Sequence, residues 1–245
     1  MISVCMATFN GERFIKEQVA SILSQIREND ELVISDDRSR DRTVEILKEF
    51  KDPRIKIYMN QGTKGPVSNF RNALIHSTGE YIFLSDQDDI WLPGRVDEAL
   101  KLHQTGYDLV TCNCFLIDEN GQKLTSVPYF NEKHPLKKNF FYNLYENSVY
   151  GCCMSFNRKL LLYSLPFPKN IIMHDVWIGM LAKVKYKCGY IDQCLILYRR
   201  HGGTASFGKI KGGKQHKISN LYRIRTRLYL FFHVLFHIVL KTITS

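Results

Sequence analysis

The chain has 245 residues, 44% of them hydrophobic, which is enough for a sizeable core and too apolar for extensive disorder. Its 34 Lys and Arg against 24 Asp and Glu give a net charge of +10, but ten of the basic side chains and none of the acidic ones fall in residues 199–245, so everything before them is neutral overall. Positive charge confined to a tail argues against nucleic-acid binding as the main activity, and no nucleic-acid partner is expected.

The opening "MISVCMATFN" has no basic segment followed by a long apolar one, so it reads as a first strand over Ile2–Ala7 and not as a signal peptide. Phe14, Ile15, Val19, Ile22, Leu23 and Ile26 recur at helical spacing and predict a helix over 14–26. Leu32–Ile34 is a second strand, and a second helix follows "SRDRT", with Val44, Ile46, Leu47 and Phe50 apolar. Ile55–Tyr58 is a third strand; Gly65 and Pro66 then open a helix running to His76, proline suiting a first turn. Tyr81–Leu84 is a fourth strand. Such alternation predicts an α/β fold, a mainly parallel sheet covered by helices.

After Trp91 the pattern loosens. Arg95–His103 reads as helix, Leu109–Ile117 as strand, "DENGQK" as a turn, and Pro128–Asn147 as a variable or partner-facing segment without clear period. A further strand is expected over Asn147–Phe156, and "HDVWIGMLAKVK" (His174–Lys185) reads as a capped helix. Trp91 and Trp177 read as core or pocket-wall residues. The seven cysteines, Cys5, Cys112, Cys114, Cys152, Cys153, Cys188 and Cys194, are odd in number and lack C-x-x-C spacing. They read as reduced, mostly buried thiols of a cytosolic protein.

Three polar clusters fall at strand carboxyl ends: "ATFN", "SDDRS" and "SDQDD". Ligands of open α/β sheets sit there, and three clusters on one rim suggest a site where one would suggest only a turn. Asp86 and Asp88, spaced Asp-x-Asp just past a strand, suit a hard divalent cation such as Mg²⁺ or Mn²⁺, which would relieve their mutual repulsion and keep coordination positions for a diphosphate. Spacing alone equally admits a solvated helix-entry turn. Neither G-x-x-x-x-G-K-[ST] nor G-x-G-x-x-G after the first strand is present, which disfavours a P-loop NTPase and a nicotinamide dehydrogenase.

Taken together, "VCMATFNGERFIKEQVASILSQ", "ELVISDDRSRDRT", "GPVSNFRNAL", "YIFLSDQDDIWLPGR", "MHDVW" and "YRRHGGTAS" resemble, in order and spacing over residues 2–206, a family 2 glycosyltransferase of GT-A fold. "SDQDDIW" with "HDVW" and "YRRHG" is most similar to the branch often assigned as bacterial rhamnosyltransferases of surface-polysaccharide assembly. The resemblance implies a GT-A, Rossmann-like sheet and a set of roles. Ala7, Thr8 and Phe9 resemble the segment that contacts the nucleotide base; Phe9 stands where the family commonly has Tyr, so stacking survives and a hydroxyl contact is lost. Asp36 or Asp37 resembles the acid that accepts from the pyrimidine N–H, and Arg71 a basic residue near the nucleotide sugar. Asp86 and Asp88 match the metal motif, His201 a residue close to diphosphate and metal, and Asp175 the general base of inverting members. Read blandly, Asp175 would cap a helix and His201 would be a loop histidine.

The expected organisation is a catalytic domain over residues 1–206 and, over 207–245, the basic linker "KIKGGKQHK" followed by a helical run, Leu221–Leu240. Its apolar part, Leu228–Leu240, falls short of the roughly 20 residues needed to span a bilayer, and it suits an interfacial helix with basic residues against anionic headgroups. The alternative is a helix packed on the catalytic domain or in an oligomer. The function expected is inverting, metal-dependent transfer of a sugar, with rhamnose from dTDP-rhamnose the leading choice, from a nucleotide-diphosphate donor to a glycan or lipid-linked acceptor at the cytoplasmic face of the membrane. A nucleotidyl- or phosphotransferase using the Asp pair with Mg²⁺, and a basic membrane- or nucleic-acid-binding module, are the alternatives.

Overall fold

The computed structural model describes residues 1–132, 144, 149–202 and 220–243. In chain order its elements are β1 (Ile2–Thr8), α1 (Ile15–Leu23), β2 (Glu31–Asp36), α2 (Thr43–Glu49), β3 (Ile55–Met59), α3 (Pro66–His76), β4 (Tyr81–Asp86), β5 (Ile90–Trp91), α4 (Arg95–Gln104), β6 (Leu109–Ile117), α5 (Tyr129–Glu132), a 3₁₀ turn (Gly151–Cys153), β7 (Met154–Asn157), α6 (Arg158–Ser164), α7 (His174–Lys185), β8 (Cys188–Arg199) and α8 (Asn220–Ile243). The strands form one mixed sheet in the order β3-β2-β1-β4-β7-β6-β8-β5. The first four run parallel, β7 is antiparallel to both β4 and β6, and β8 is again parallel to β6.

Period-2 alternation in the parallel strands divides the core between two faces. Val4, Met6, Leu32, Ile34 and Phe83 pack with Ile15, Val19 and Ile22 of α1. Cys5, Val33, Ile82 and Leu84 point the other way, onto Phe70 and Leu74 of α3 and Trp177 and Leu181 of α7. Because helices cover both faces, β2 is buried along its whole length, and its middle, Leu32–Ile34, is apolar without alternation. Trp91 and Trp177 are both core residues, at 3% and 0% exposure. Five of the cysteines are buried, two are half-buried, and all seven are free thiols.

At the amino-terminal rim a buried carboxylate joins four segments. Glu31 accepts from Ser3 Oγ (2.5 Å), Thr78 N (2.6 Å) and Thr78 Oγ1 (2.8 Å) and pairs with Lys56 Nζ at 2.6 Å. Burial acts against its charge, but these donors outweigh it and hold the carboxyl down at about 2. Gly79 lets the chain come this close: a Cβ there would lie 2.5 Å from Ser3 N and 2.6 Å from Ile2 C, so any side chain would displace backbone.

Two expectations are corrected. Of the strand expected over Asn147–Phe156, the part within the described residues is strand only from Met154; Gly151–Cys153 instead form the 3₁₀ turn, because the Gly151 N–H turns aside to a buried carboxylate, Asp175 Oδ2, at 2.9 Å. The tail helix is also longer than its apolar stretch, running 24 residues, and over Arg225–Ile243 it is long and apolar enough by length and composition to cross a membrane. It nevertheless docks. Leu230 and Val234 are buried in the α3/α7 core, and His237 Nε2 bonds Tyr163 O at 2.6 Å with its ring edge-on to Tyr163 and Trp177. The opposite face leaves Phe232, Phe236, Val239 and Ile243 exposed. The linker "KIKGGKQHK" lies outside the described residues.

Candidate active site

Strand register sets the site. Thr8 pairs with Asp36 and Ala7 with Asp86, so β1, β2 and β4 end level, and the chain leaves the sheet at one rim carrying polar side chains. Asp36 is fully buried, with its oxygens taken by Thr8 Oγ1 (2.9 Å), Ser39 N (2.8 Å) and Ser39 Oγ (2.6 Å). Asp37 accepts from Asn60 Nδ2 and Gly65 N, both at 2.8 Å. Of the two acids left open by the sequence, Asp36 is thus a brace between strand ends, while Asp37 stands at the entrance to α3. Phe9 projects at 46% exposure with Lys64 Nζ 5.9 Å from its ring centroid, a face open to a planar base. Arg71 is exposed on α3.

The "SDQDD" turn is held from several sides. Gln87 clasps the Phe9 backbone reciprocally, accepting from Phe9 N at 2.8 Å and donating to Phe9 O at 3.1 Å. Buried Gln18 of α1 donates to Ser85 Oγ (2.7 Å) and Asp86 O (3.1 Å). Arg199, 2% exposed at the end of β8, donates from Nε to Asp88 O (2.7 Å), from its backbone N–H to Asp89 Oδ1 (2.9 Å), and from NH2 to Glu17 Oε2 (2.7 Å). None of these three supports was assigned a role from the sequence. Arg199 lies inside "YRRHGGTAS" and is the one with a visible signal; the glutamines sit in ordinary helix and turn positions.

On this turn the carboxylates are electrostatically unhappy. The Asp86 carboxyl is pushed up to about 8, first by burial and then by the charges of Asp88 and Asp175. Among the described residues it receives no hydrogen bond. Asp88 Oδ2 meets His201 Nε2 at 2.7 Å, so the histidine is brought to the Asp-x-Asp pair. A set of carboxylate oxygens with one imidazole, short of positive partners, fits Mg²⁺ or Mn²⁺ in donor chemistry.

Asp175 enters from the opposite element, in the first turn of α7. Its Oδ1 accepts from Val176 N (2.7 Å) and its Oδ2 from Gly151 N (2.9 Å), so the 3₁₀ turn and the helix start fix the carboxylate together. Burial raises it to about 6, against the pull of those N–H groups. Its neighbour His174 is buried without a hydrogen-bond partner on either nitrogen among the described residues, stacked on Phe70 at 3.9 Å between ring centroids, and held neutral by burial, which lowers it to about 3. The structure therefore brings Asp86, Asp88, His201 and Asp175 to one place, with Thr8 and Phe9 on the adjoining strand end.

Comparison with known proteins bears on the family and the fold. The β-1,3-glucosyltransferase WfaP of Escherichia coli, named for UDP-Glc and α-D-GlcNAc-diphosphoundecaprenol, is 33% identical over 216 residues, 86% of this chain and 82% of that protein. The dTDP-rhamnosyl transferase RfbG of Shigella flexneri is 28% identical over 234 residues, 89% of this chain and 79% of that one. Among solved structures, Staphylococcus aureus TarS with UDP-GlcNAc superposes with a TM-score of 0.66 at 19% identity, over 83% of this chain; this chain spans only 59% of that one. Mycobacterium tuberculosis glucosyl-3-phosphoglycerate synthase with Mg²⁺ and UDP gives a TM-score of 0.57 at 18% identity, over 82% of this chain and 72% of that one. The fold is GT-A, and residues 3–164 match Glycosyl transferase family 2, to which this chain belongs.

Proposed function

We propose that this chain is an inverting, divalent-cation-dependent glycosyltransferase that moves a hexose from a nucleotide-diphosphate donor to a hydroxyl of a glycan or lipid-linked acceptor at the inner face of the membrane. The observation that carries the reading is the meeting of two unlike carboxylate environments: the crowded Asp86–Asp88 pair with His201, and the separately anchored Asp175. Phe9 and Thr8 support a base and ribose site at the adjoining strand end, with Asp37 and Arg71 flanking it.

In this reaction the acceptor oxygen bonds to the anomeric carbon as the bond from that carbon to the diphosphate breaks, its electron pair leaving with the nucleotide. Asp175 takes the acceptor proton, as a carboxylate near pKa 6 is suited to do at neutral pH. Asp86, Asp88 and His201 would hold a Mg²⁺ or Mn²⁺ ion, which when bound supplies positive charge for the departing diphosphate. The anchoring of Asp175 by two backbone N–H groups fixes the base without a flexible stem, and burial of the turn by Arg199 and Gln18 keeps the acidic pair in register.

For the donor, the rhamnosyl reading draws on the motif resemblance and on RfbG, while the WfaP relative favours UDP-glucose as a second reading. Lipid linkage of the acceptor draws on the name of WfaP. A panel of nucleotide sugars tested for Mn²⁺-dependent thermal stabilisation and slow donor hydrolysis decides, because donor binding needs no acceptor. One dTDP- or UDP-sugar should stabilise the wild type with Mn²⁺ and lose the effect with chelator or in Asp88→Asn. Equal metal-dependent stabilisation of Asp88→Asn would refute its assignment as a ligand.

A further inference from the structure

Asp86 belongs to a second donor group that the transfer reaction does not use. Ligand atoms of Asp86, Asp89 and Cys152 all lie within 4.8 Å of one another. Asp89 and Cys152 are 1% and 2% exposed, so this group is deeper than the Asp88–His201 pair. Asp89 is also half-committed: Oδ1 accepts from Arg199 N at 2.9 Å, whereas among the described residues buried Oδ2 meets no conventional donor, and only the weakly donating Cys152 thiol faces the carboxylate. A buried carboxylate oxygen left in this way carries its full desolvation cost, and native structures rarely keep one without a cation, water or proton to meet it. The thiol is delivered by the 3₁₀ turn that departs from the expected strand, one residue after the Gly151 N–H that holds Asp175.

We propose that Asp86, Asp89 and Cys152 form an inner site for a borderline-soft divalent cation of the zinc type, sharing Asp86 with the Asp-x-Asp pair. Two carboxylate oxygens and one thiolate are a known kind of donor set for zinc, whose bonds of about 2.0–2.3 Å need donors within roughly 4 Å of one another, close to the spacing already present. Magnesium is excluded by its demand for octahedral oxygen ligands and its reluctance to shed water, whereas sulfur selects softer ions. On binding, the Sγ–H bond breaks, the sulfur electron pair bonds the cation, and the proton passes to solvent with no change of oxidation state. Because Asp86 is common to both groups, an ion seated here withdraws it from the outer pair, so zinc is an inhibitor that competes with Mn²⁺.

Cd²⁺ is the probe, since its thiolate complexes absorb in the ultraviolet. With the metal-stripped full chain, one equivalent of Cd²⁺ should raise the cadmium–thiolate band, and Zn²⁺ should displace it. Asp88→Asn should keep the band, and Asp89→Asn, which retains an acceptor for Arg199 N, should weaken Cd²⁺ binding tenfold or more. Cys152→Ser and Cys152→Ala should abolish the band, with thermal melts confirming that at least one variant is folded. No band in the wild type, or an undiminished band in a folded Cys152 variant, would overturn the inner site. Neither result bears on donor binding with Mn²⁺, which tests the transfer reading separately.

Discussion

Asp175 is held by two N–H groups from different elements, and burial still raises it to about 6. Removing its charge should therefore change chemistry more than binding. Asp175→Asn is expected to bind the nucleotide sugar within a few-fold of wild type and to lose transfer by about 10²–10⁴-fold, checked by calorimetric donor titration beside turnover. Equal loss in both would mark it as a structural cap. The pH dependence follows from the sign of the shift: below about 6 the buried carboxyl is protonated and cannot accept a proton, so kcat should fall about tenfold per pH unit in acid and level off above neutrality. A flat profile from pH 5 to 8 would count against this base. What the residue scale hid from the sequence was support: Gln18 reaches Asp86 O across 68 positions and Arg199 reaches Glu17 across 182, and no local pattern announces such distant partners.

At the scale of elements, periodicity located the parallel half well, because each of its strands and helices is buried on a regular face and shows that face in its spacing. Past Trp91 it did less. The 12-residue β8 drew no expectation, since Asp192 and Gln193 interrupt its apolar run where its register against β6 slips beside Asn113. The apolar composition of Gly151–Cys153 suits a strand and does not betray that the Gly151 N–H is needed elsewhere. The Glu31 cluster, also unforeseen, makes the joint between β1, β2, β3 and the chain entering β4 dependent on acid. A carboxyl held at about 2, against 4.5 when free, stabilises the fold above pH 4.5 and loses that contribution as pH falls through about 2. Glu31→Gln should cost about 2–3 kcal/mol at pH 7 and progressively less below pH 4, read from urea unfolding at each pH. A pH-independent loss would show that shape and not charge matters there.

For the whole molecule, the docked tail helix gives the membrane reading a direction. Leu230, Val234 and His237 face the domain, so in this arrangement the helix lies along the protein and presents Phe232 (60% exposed) and Phe236 (63% exposed) outward. Phe232→Glu with Phe236→Glu should keep the melting temperature and donor binding while abolishing flotation with anionic liposomes. Wild-type flotation should weaken as salt rises, because seven Lys or Arg between Lys209 and Arg227 contribute on the order of 1 kcal/mol each near an anionic surface and are screened beyond about 10 Å at 0.1 M. Flotation unaffected by the double substitution would leave that face to a second copy of the chain. The Glu31 joint has a further consequence, one of ancestry. Cohesion of the parallel strands is secured at the rim opposite the candidate site, so lineages can lengthen, shorten or rewrite the loops around that site without first having to reinvent the frame. Divergence in specificity among relatives should therefore gather on the carboxyl rim, while Glu31, Thr78 and Gly79 change seldom and together.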